Sequence, residues 1–475
     1  MTGMPPDDER VLAARAANRE PEFISWPGPA QFAAPLSSAQ RAMARAERTG
    51  SGGVTHFLLA YRLRGRVDYD LLGRAVTELH RRHGIMRTVF PLIGEGDGPR
   101  GEWQVVLAPE RVCIERRSFV GEADPPRSAR SYALRLAEEK YAPRSRPPIR
   151  WRFLELAEND GILLLCLHHM LADAESVRVI EEELATLYRA LVDCTDIATA
   201  LPPVPVQYTD FARWEQEQAA AGRYDRHLAH WRRALDDYPR KLALPFDRVP
   251  GRGASFRGAT LSEEIPTTLM PEVRALARAE RASDFMLFLA AYAVLVGELT
   301  GQDRIVLGTP VSGRDRPELN RAVGLYADIV PLPLDLSGEP SFRAVLGRVR
   351  DCVLDALTHQ GAPLELIVKE LAWQAPLGRP ALVQSVCYLH AAPPPDTQPW
   401  PHGLHVEREQ LFTPVSSLDL SLAVETDGDT ARCLWEYRSG LFNGTTIRRL
   451  QARYLALLAG AVQTPDTVTH TGDLH

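Results

Sequence analysis

The fold of this 475-residue chain is decided by the segment His168-His169-Met170-Leu171-Ala172-Asp173-Ala174. It follows a nearly continuous apolar run, residues 161–167, whose length and composition predict a buried strand. From Glu175 onward the sequence predicts a long helix. Loops at strand ends are where α/β proteins carry reacting groups, so the segment is a candidate site.

The residue types in this loop suit acyl chemistry. A neutral imidazole can accept a proton from an attacking nucleophile near neutral pH. The Asp173 carboxylate can orient an imidazole, or it can brace the loop by pairing with an arginine. Backbone amides at a helix start can support an oxyanion. The segment alone leaves open a structural role for both histidines, and we predict no metal because no third ligand is spaced nearby.

Composition and charge exclude several classes of protein. The chain is 45% hydrophobic and 24% charged, which is ordinary for a globular protein and excludes a disordered or collagen-like chain. The net charge of −6 argues against a nucleic-acid partner. The six cysteines include no CxxC pair, and we interpret them as reduced thiols. Since no apolar run reaches the ~20 residues of a membrane helix and no signal peptide is evident, we expect a cytoplasmic location.

The sequence predicts two α/β halves. A Pro-rich break at residues 201–205 separates residues 1–200 from residues 201–475, and both parts mix helix and strand patterns. A second Pro-rich run at residues 392–401 predicts a loop or lid.

Seven segments together resemble the condensation domains of nonribosomal peptide synthetases, within the chloramphenicol acetyltransferase-like superfamily. The segment at residues 168–174 resembles the family's HHxxxDG signature. Six others resemble, in the family's order, its opening segment and its RHExLRTxF, YxDYAxW, GTPVxGR, VGxFxN and HQDxPFE motifs. They are residues 35–40 (PLSSAQ), 81–90 (RRHGIMRTVF), 208–214 (YTDFARW), 308–314 (GTPVSGR), 323–328 (VGLYAD) and 359–365 (HQGAPLE).

This resemblance implies a fold and an activity. The fold would be α/β of the α+β type, with two chloramphenicol acetyltransferase-like halves in a V-shaped pseudo-dimer around a central tunnel. The second half would carry the family's floor-loop and latch-like segments. The activity would join an acyl or aminoacyl group to an amine or hydroxyl acceptor, forming an amide or ester in natural-product biosynthesis. The donor would be a thioester on the phosphopantetheine arm of a carrier protein, with no cofactor bound permanently.

The resemblance also implies roles for particular residues. His169 would be the central catalytic residue, either as general base or as a positioning group, and His168 would be structural. Asp173 would pair with Arg314 and clamp the loop to the second half. Ala174 replaces the family's glycine, and its amide could still support an oxyanion. If that glycine requires a positive φ, the loop here must differ.

Four further residues are candidates for the tunnel wall: Tyr326, Asp328, Ser312 and Gly313. Asp328 stands where the family has asparagine. An extra carboxylate there could attract a cationic amine, or it could cap a helix.

Alternatives follow from the same comparison. Heterocyclization relatives carry aspartate in place of His168, and oxygenase-recruiting relatives lose the second histidine, so both subtypes are disfavoured. Epimerization relatives share the signature and stay a minor alternative. A CoA-dependent acyltransferase and a non-catalytic carrier-docking scaffold stay open as well. The length accommodates one condensation fold, and no carrier or adenylation motif is evident, so we expect a free-standing enzyme whose carrier acts in trans.

Overall fold

The computed structural model describes residues 30–48, 56–91, 103–137, 139, 141, 143, 145–249, 256–374, 379–391, 400–409, 411 and 415–469. Within these ranges the fold mixes helices and strands. The helices are α1 (Ser38–Arg48), α2 (Tyr69–Arg82), α3 (Pro125–Ala137), α4 (Ala174–Val192), α5 (Tyr208–Ala220), α6 (Asp225–Ala234), α7 (Leu269–Ala279), α8 (Asp284–Thr300), α9 (Phe342–Thr358), α10 (Leu364–Glu370) and α11 (Gly444–Gln463). The strands are β1 (Ala30–Pro35), β2 (His56–Arg64), β3 (Thr88–Val89), β4 (Trp103–Leu107), β5 (Glu115–Ser118), β6 (Ile149–Ala157), β7 (Asp160–His168), β8 (Gly258–Ile265), β9 (Arg304–Val311), β10 (Asp328–Asp335), β11 (Ser385–Ala391), β12 (His405–Glu409), β13 (Leu420–Asp427) and β14 (Thr430–Arg438).

Strand β7 lies at the centre of the first large sheet, whose order is β12-β2-β7-β6-β5. Alternate β7 side chains enter different cores: Leu163 packs in the core that includes α2 and α4, whereas Leu164 packs in the core that includes α3. Because both faces are covered, the strand is apolar along almost its whole length. The predicted strand and the helix that follows it are therefore both present, and they fix the two ends of the candidate loop.

The second large sheet has the order β10-β9-β11-β13-β14-β8. Strands β9, β11 and β13 are mutually parallel, and the outer pairs are antiparallel. Helix α8 is buried from Met286 to Glu298, so its sequence is apolar around its full circumference. A smaller antiparallel sheet, β1-β4-β3, completes the described strands.

Parts of the C-terminal portion of the chain pack with the N-terminal portion, across the predicted boundary. Strand β12 belongs to the C-terminal portion, yet it pairs with β2 at the edge of the first sheet. Leu319, Val323 and Leu325 likewise pack in the first core, although they follow β9. Some residues of the portion 201–475 thus pack with the sheet and core of residues 1–200. Of the predicted Pro-rich lid, residues 392–399 lie outside the described residues.

No single helix in the described ranges is both long and apolar enough to cross a membrane. Helices α7 and α8 reach the required length and composition only as a pair, and the two are bent by 101° with respect to each other.

Candidate active site

His168 ends β7 and anchors the turn that follows it. Its side chain is 2% exposed, and its Nδ1 accepts a hydrogen bond from the Met170 amide at 3.1 Å. The His56 ring meets it edge-on, with centroids 5.3 Å apart. This ring therefore holds the single 3₁₀ turn His169–Leu171 against the strand end, which agrees with a structural role.

His169 is half-buried on that turn, with its ring 4.6 Å from the Phe57 ring. Its Nδ1 is buried and forms no hydrogen bond within the described residues. Burial lowers the pKa of His169 below its ordinary value, and this effect outweighs the opposing influence of its own carbonyl and of Asp173. The imidazole is therefore neutral at pH 7. In the described part of the chain Nε2 has no hydrogen-bond partner and, unlike Nδ1, it is not a buried unsatisfied atom, so this nitrogen is available to a substrate proton.

Asp173 is the N-cap residue of α4, and both of its carboxylate oxygens accept hydrogen bonds. Its Oδ1 accepts from the Ser176 amide at 2.8 Å and from Arg314 at 3.0 Å, and it lies 2.7 Å from the Ser176 hydroxyl. Its Oδ2 accepts from the backbone amides of Tyr326 at 3.0 Å and Ala327 at 3.1 Å. The side chain is only 2% exposed. A carboxylate surrounded by donors in this way is suited to bracing the loop rather than to moving a proton.

Arg314 reaches Asp173 from the second sheet's side of the molecule. It also donates to the carbonyl of Ala322 at 2.8 Å and to that of Leu319, and its guanidinium lies 4.2 Å from the Tyr326 ring centroid. Both ion-pair side chains are almost fully buried, at 4% and 2% exposure. The contacts thus join the His169 loop to the segment after β9 at one buried point.

Ala174 is the first residue of α4 and is exposed. It is not among the described residues with positive φ, so the loop does not use the left-handed conformation that would favour glycine. The alanine is therefore compatible with this loop.

A cavity of about 530 Å³ opens beside this loop, between the two portions of the chain. The loop contributes Asp173, Ala174 and Glu175, and the opposite wall includes Ser312 and Leu357. Its volume falls within the range of about 300–1,000 Å³ that is typical of small-molecule sites. Of the four predicted tunnel residues, only Ser312 lines this cavity in the described part of the chain.

Tyr326 packs behind the loop instead. Its side chain is 3% exposed and contacts the rings of Tyr208 and Phe211 edge-on, at 5.1 and 4.8 Å. Burial raises its pKa. Its contribution to the site is therefore the backbone amide bound to Asp173, together with the ring under Arg314.

Asp328 caps the start of α10. Its Oδ2 accepts from the Leu364 amide and its Oδ1 from the Ile329 amide, both at 2.8 Å. Burial raises its pKa to about 7, although those two hydrogen bonds favour the ionised form. This geometry matches the helix-capping alternative, since both oxygens are engaged by backbone.

Asp328 gives the free energy of unfolding a specific pH dependence. Its folded pKa of about 7 lies above the ordinary value of 3.8, so between these values the folded chain keeps a proton that the unfolded chain has lost. The free energy of unfolding therefore falls as pH rises through this window. Asp328→Asn cannot ionise, and we expect its stability relative to wild type to rise between about pH 4 and about pH 8 in urea titrations.

A matched control comes from Asp335, where hydrogen bonds from Ser337 and nearby arginines outweigh burial and lower the pKa. Asp335→Asn should lower stability by a constant amount between about pH 4 and about pH 8, because Asp335 is ionised in both the folded and the unfolded chain above its ordinary pKa of 3.8. Parallel pH curves for Asp328→Asn and wild type would contradict the prediction.

Gly313 shapes the loop that carries Arg314. Its φ is +62°, and a Cβ at this position would lie 2.0 Å from the Tyr326 carbonyl oxygen. Gly301 has the same φ of +62° but no atom within 4 Å of its Cβ position. Substitution at Gly301 therefore tests backbone strain alone, whereas substitution at Gly313 adds steric overlap to the same strain.

We expect Gly301→Ala to lower the free energy of unfolding by about 1–2 kcal/mol, which is the left-handed strain alone. Gly313→Ala should lower it by at least about twice as much, since the new methyl group must also displace backbone. Chemical denaturation of both variants measures the difference. Equal losses would show that the loop moves freely away from Tyr326.

Several residues important to this geometry were not singled out from the sequence. The Tyr208 hydroxyl donates to the Leu325 carbonyl at 2.7 Å and lies 2.6 Å from the Ser37 hydroxyl. The Ser176 hydroxyl lies within 3.0 Å of both the amide and the carbonyl of Gly324. The available signal was that Tyr208, Ser37 and Gly324 each lie in a segment that resembles a family motif.

Glu183 forms a second connection across the boundary. This fully buried carboxylate contacts His83 at 2.8 Å, Arg82 at 3.1 Å and, from the second portion, Arg321 at 3.4 Å. Burial alone would raise the Glu183 pKa, but the hydrogen bonds from His83 and Arg82 lower it to about 2. The Glu183 carboxylate therefore links the first portion to the segment before β10 through its ion pairs.

Sequence comparison identifies the family in which this site occurs. The model of the condensation domain matches residues 30–474. The chain belongs to the condensation domain family. Phosphinothricin tripeptide synthetases PhsB and PhsC of Streptomyces viridochromogenes are 34% and 32% identical to it, over 91% and 96% of this chain. The chain spans only 36% and 41% of the length of these relatives.

Solved structures of condensation-type proteins share the fold. The X-domain in its complex with OxyB from teicoplanin biosynthesis has a TM-score of 0.81 and 25% identity, covering 95% of this chain and 98% of that chain. SgcC5 protein from Streptomyces globisporus, in complex with a naphthyl-ethanediol and sucrose, has a TM-score of 0.74 and 26% identity, covering 91% of this chain and 100% of that chain. The predicted fold class is thus confirmed as the chloramphenicol acetyltransferase-like fold of condensation domains.

Proposed function

We propose that this condensation domain transfers an acyl or aminoacyl group from a carrier-protein thioester to an amine or hydroxyl acceptor. The observation that carries the proposal is the neutral His169 ring, whose Nε2 has no hydrogen-bond partner among the described residues, on a loop that is fixed from both sides of the molecule. The cavity beside the loop would form part of the tunnel through which the substrates meet.

The proposed reaction is a nucleophilic acyl substitution. The acceptor nitrogen or oxygen attacks the thioester carbonyl, and the new C–N or C–O bond forms as the C–S bond breaks. His169 Nε2 accepts the proton released by the nucleophile and returns it to the departing phosphopantetheine thiolate. The phosphopantetheine arm thus belongs to the substrate, and no cofactor of this chain is consumed.

The surrounding residues would hold this histidine in place. His168 fixes the strand end, while Asp173 and Arg314 fix the start of α4. The Ala174 amide, at the exposed helix start beside the cavity, is a candidate donor to the developing oxyanion. Both oxygens of the Asp173 carboxylate accept hydrogen bonds, so we assign this residue no role in proton transfer.

The proposal includes action on a carrier protein in trans, with a small amine or alcohol as acceptor. We also propose a cytoplasmic location, which is supported by six cysteines that form no disulfide.

Two alternatives are distinguished by donor choice and by His169. A CoA-dependent acyltransferase would use acyl-CoA as readily as an acyl-carrier. A carrier-docking scaffold would form no product; an X-domain is known in complex with OxyB, which makes docking a relevant alternative. Retention of His169, whose Nε2 has no hydrogen-bond partner among the described residues, favours catalysis over docking alone.

The test offers the same acyl group on a carrier protein and on CoA, each with a panel of amines and alcohols. Mass spectrometry then identifies the products. We expect product from the carrier-bound donor at a much higher rate than from CoA. Comparable rates from CoA would overturn the carrier assignment, and product from neither donor with any acceptor would favour the scaffold.

A further inference from the structure

Three histidines and an aspartate of the C-terminal portion lie close together, and none of them lines the cavity beside the His169 loop. His227 and His230 lie one turn apart on α6, while Asp355 lies on α9 and His359 directly follows that helix. His230 Nε2 is 3.2 Å from an Asp355 oxygen, and His359 Nε2 is 4.0 Å from the other oxygen. Neither the condensation chemistry nor the clamp uses these side chains.

We propose that His230, Asp355 and His359 bind a divalent cation of intermediate softness, such as Zn²⁺. Their three ligand atoms lie within 4.8 Å of one another. Two imidazole nitrogens and one carboxylate oxygen, with water in the fourth position, form a donor set that zinc commonly uses.

A second observation points to a missing partner. His230 Nε2 is buried, yet it forms no hydrogen bond of acceptable geometry in the described residues, although a carboxylate is close by. Buried polar atoms in proteins are almost always satisfied, so this nitrogen lacks a partner that an ion could supply.

His227 supports the site from behind. Its Nδ1 lies 3.2 Å from the Nδ1 of His359, which leaves His359 Nε2 directed toward Asp355. Metal-binding histidines commonly use their second ring nitrogen in such a hydrogen bond, which fixes the tautomer. The backbone is also held, since the buried Trp231 indole donates to the His359 carbonyl at 3.1 Å.

Binding requires one local adjustment. The His230 and His359 rings are stacked, with centroids 3.7 Å apart and planes inclined by 2°, so their in-plane lone pairs cannot meet at one ion as they stand. Rotation about χ2 is soft for histidine, and neither ring is fully buried. We therefore expect the ion to unstack the rings while the helices stay in place.

The site is separate from the cavity. Val353 and Leu357 of α9 line the cavity, and Asp355 lies between them in sequence, on the opposite side of the helix. The metal would thus connect α6 to the end of α9 without entering the substrate space. The sequence analysis predicted no metal because no third ligand is spaced near His168 and His169. It did not consider the histidines of α6 and His359, which no spacing rule connects.

The test titrates the untagged full chain with Co²⁺, followed by visible absorption, and with Zn²⁺, followed by calorimetry and thermal unfolding. We expect one ion per chain and a raised melting temperature. Asp355→Asn and His359→Gln should each weaken binding by at least about tenfold. His405→Gln is the matched control, since His405 is an exposed histidine beside Glu407, and it should bind as wild type.

Three results would overturn the site: no binding by wild type, unchanged affinity in Asp355→Asn and His359→Gln, or a thiolate-to-cobalt absorption band. The last would assign the ion to the exposed Cys113 or Cys194, and Cys113→Ser and Cys194→Ser would then abolish it. None of these outcomes depends on the condensation reaction, so the site stands or falls independently of the proposed function.

Discussion

His169→Ala is expected to reduce the rate of product formation by about 10²–10⁴-fold while leaving the fold intact. The ring is half-buried and, among the described residues, its one close aromatic neighbour is Phe57, so its loss removes chemistry rather than a large part of the core. The measurement is the single-turnover rate with an acyl-carrier donor, followed by mass spectrometry. His405→Ala, which removes an exposed histidine on β12, is the control and should react as wild type.

The same variant separates a general base from a positioning group. A hydroxyl acceptor needs its proton removed far more than a neutral amine does, so a base predicts a larger loss with alcohols than with amines. Burial lowers the pKa of His169, so wild-type activity should fall only when pH drops below the ordinary histidine value. If His169→Ala reacts at the wild-type rate with its cognate substrates, the catalytic assignment is wrong.

Arg314→Ala is expected to lower the free energy of unfolding by about 3–5 kcal/mol, because it leaves the Asp173 carboxylate buried beside an empty space. It also removes donors from the carbonyls of Leu319 and Ala322. Urea denaturation measures the loss, and condensation activity should fall with it, since the His169 loop loses its attachment to the segment after β9.

Arg316→Ala is the matched control for this prediction. Arg316 lies two residues away, pairs with Glu318 at 3.6 Å and is half-exposed, so its loss should cost less than about 1 kcal/mol. Should Arg314→Ala fail to accumulate, Arg314→Lys takes its place, because lysine retains the charge without the planar guanidinium. The free energy of unfolding of Arg314→Lys should lie below that of wild type and above the value expected for Arg314→Ala. Equal stabilities for Arg314→Ala and Arg316→Ala would exclude a clamp.

The parts of this fold with local signals were predictable from sequence. An uninterrupted apolar run indicated β7, and helical periodicity indicated α4. Strand β12 was not predicted, because its sequence, HVERE, has mostly charged or exposed residues and its strand conformation depends on pairing with β2, more than 300 residues earlier in the sequence. Strand β8, which alternates little and is largely exposed, was also missed for want of a local pattern.

The residues of the candidate site also differ in whether a local sequence signal predicted them. The His168-His169 loop was evident from the sequence itself, but the partner of Asp173 is 141 residues away, and only the family resemblance suggested Arg314. The exposure of each side chain depends on packing that no motif encodes. Tyr326 and Asp328 were candidates for the tunnel wall, with a helix cap as the alternative for Asp328. In the structure Tyr326 packs against aromatic rings and Asp328 caps α10.

The exchange of β12 has a practical consequence for engineering. Swapping halves between relatives at the Pro-rich break, residues 201–205, would pair β2 of one parent with β12 of the other, and where the two sequences do not match the edge of β2 loses its partner. Unpaired edges recruit other chains, so such chimeras should aggregate even when each donor protein is stable. A working chimera would take β12 from the same parent as residues 1–200. The structural unit to be exchanged is therefore continuous in space but discontinuous in sequence.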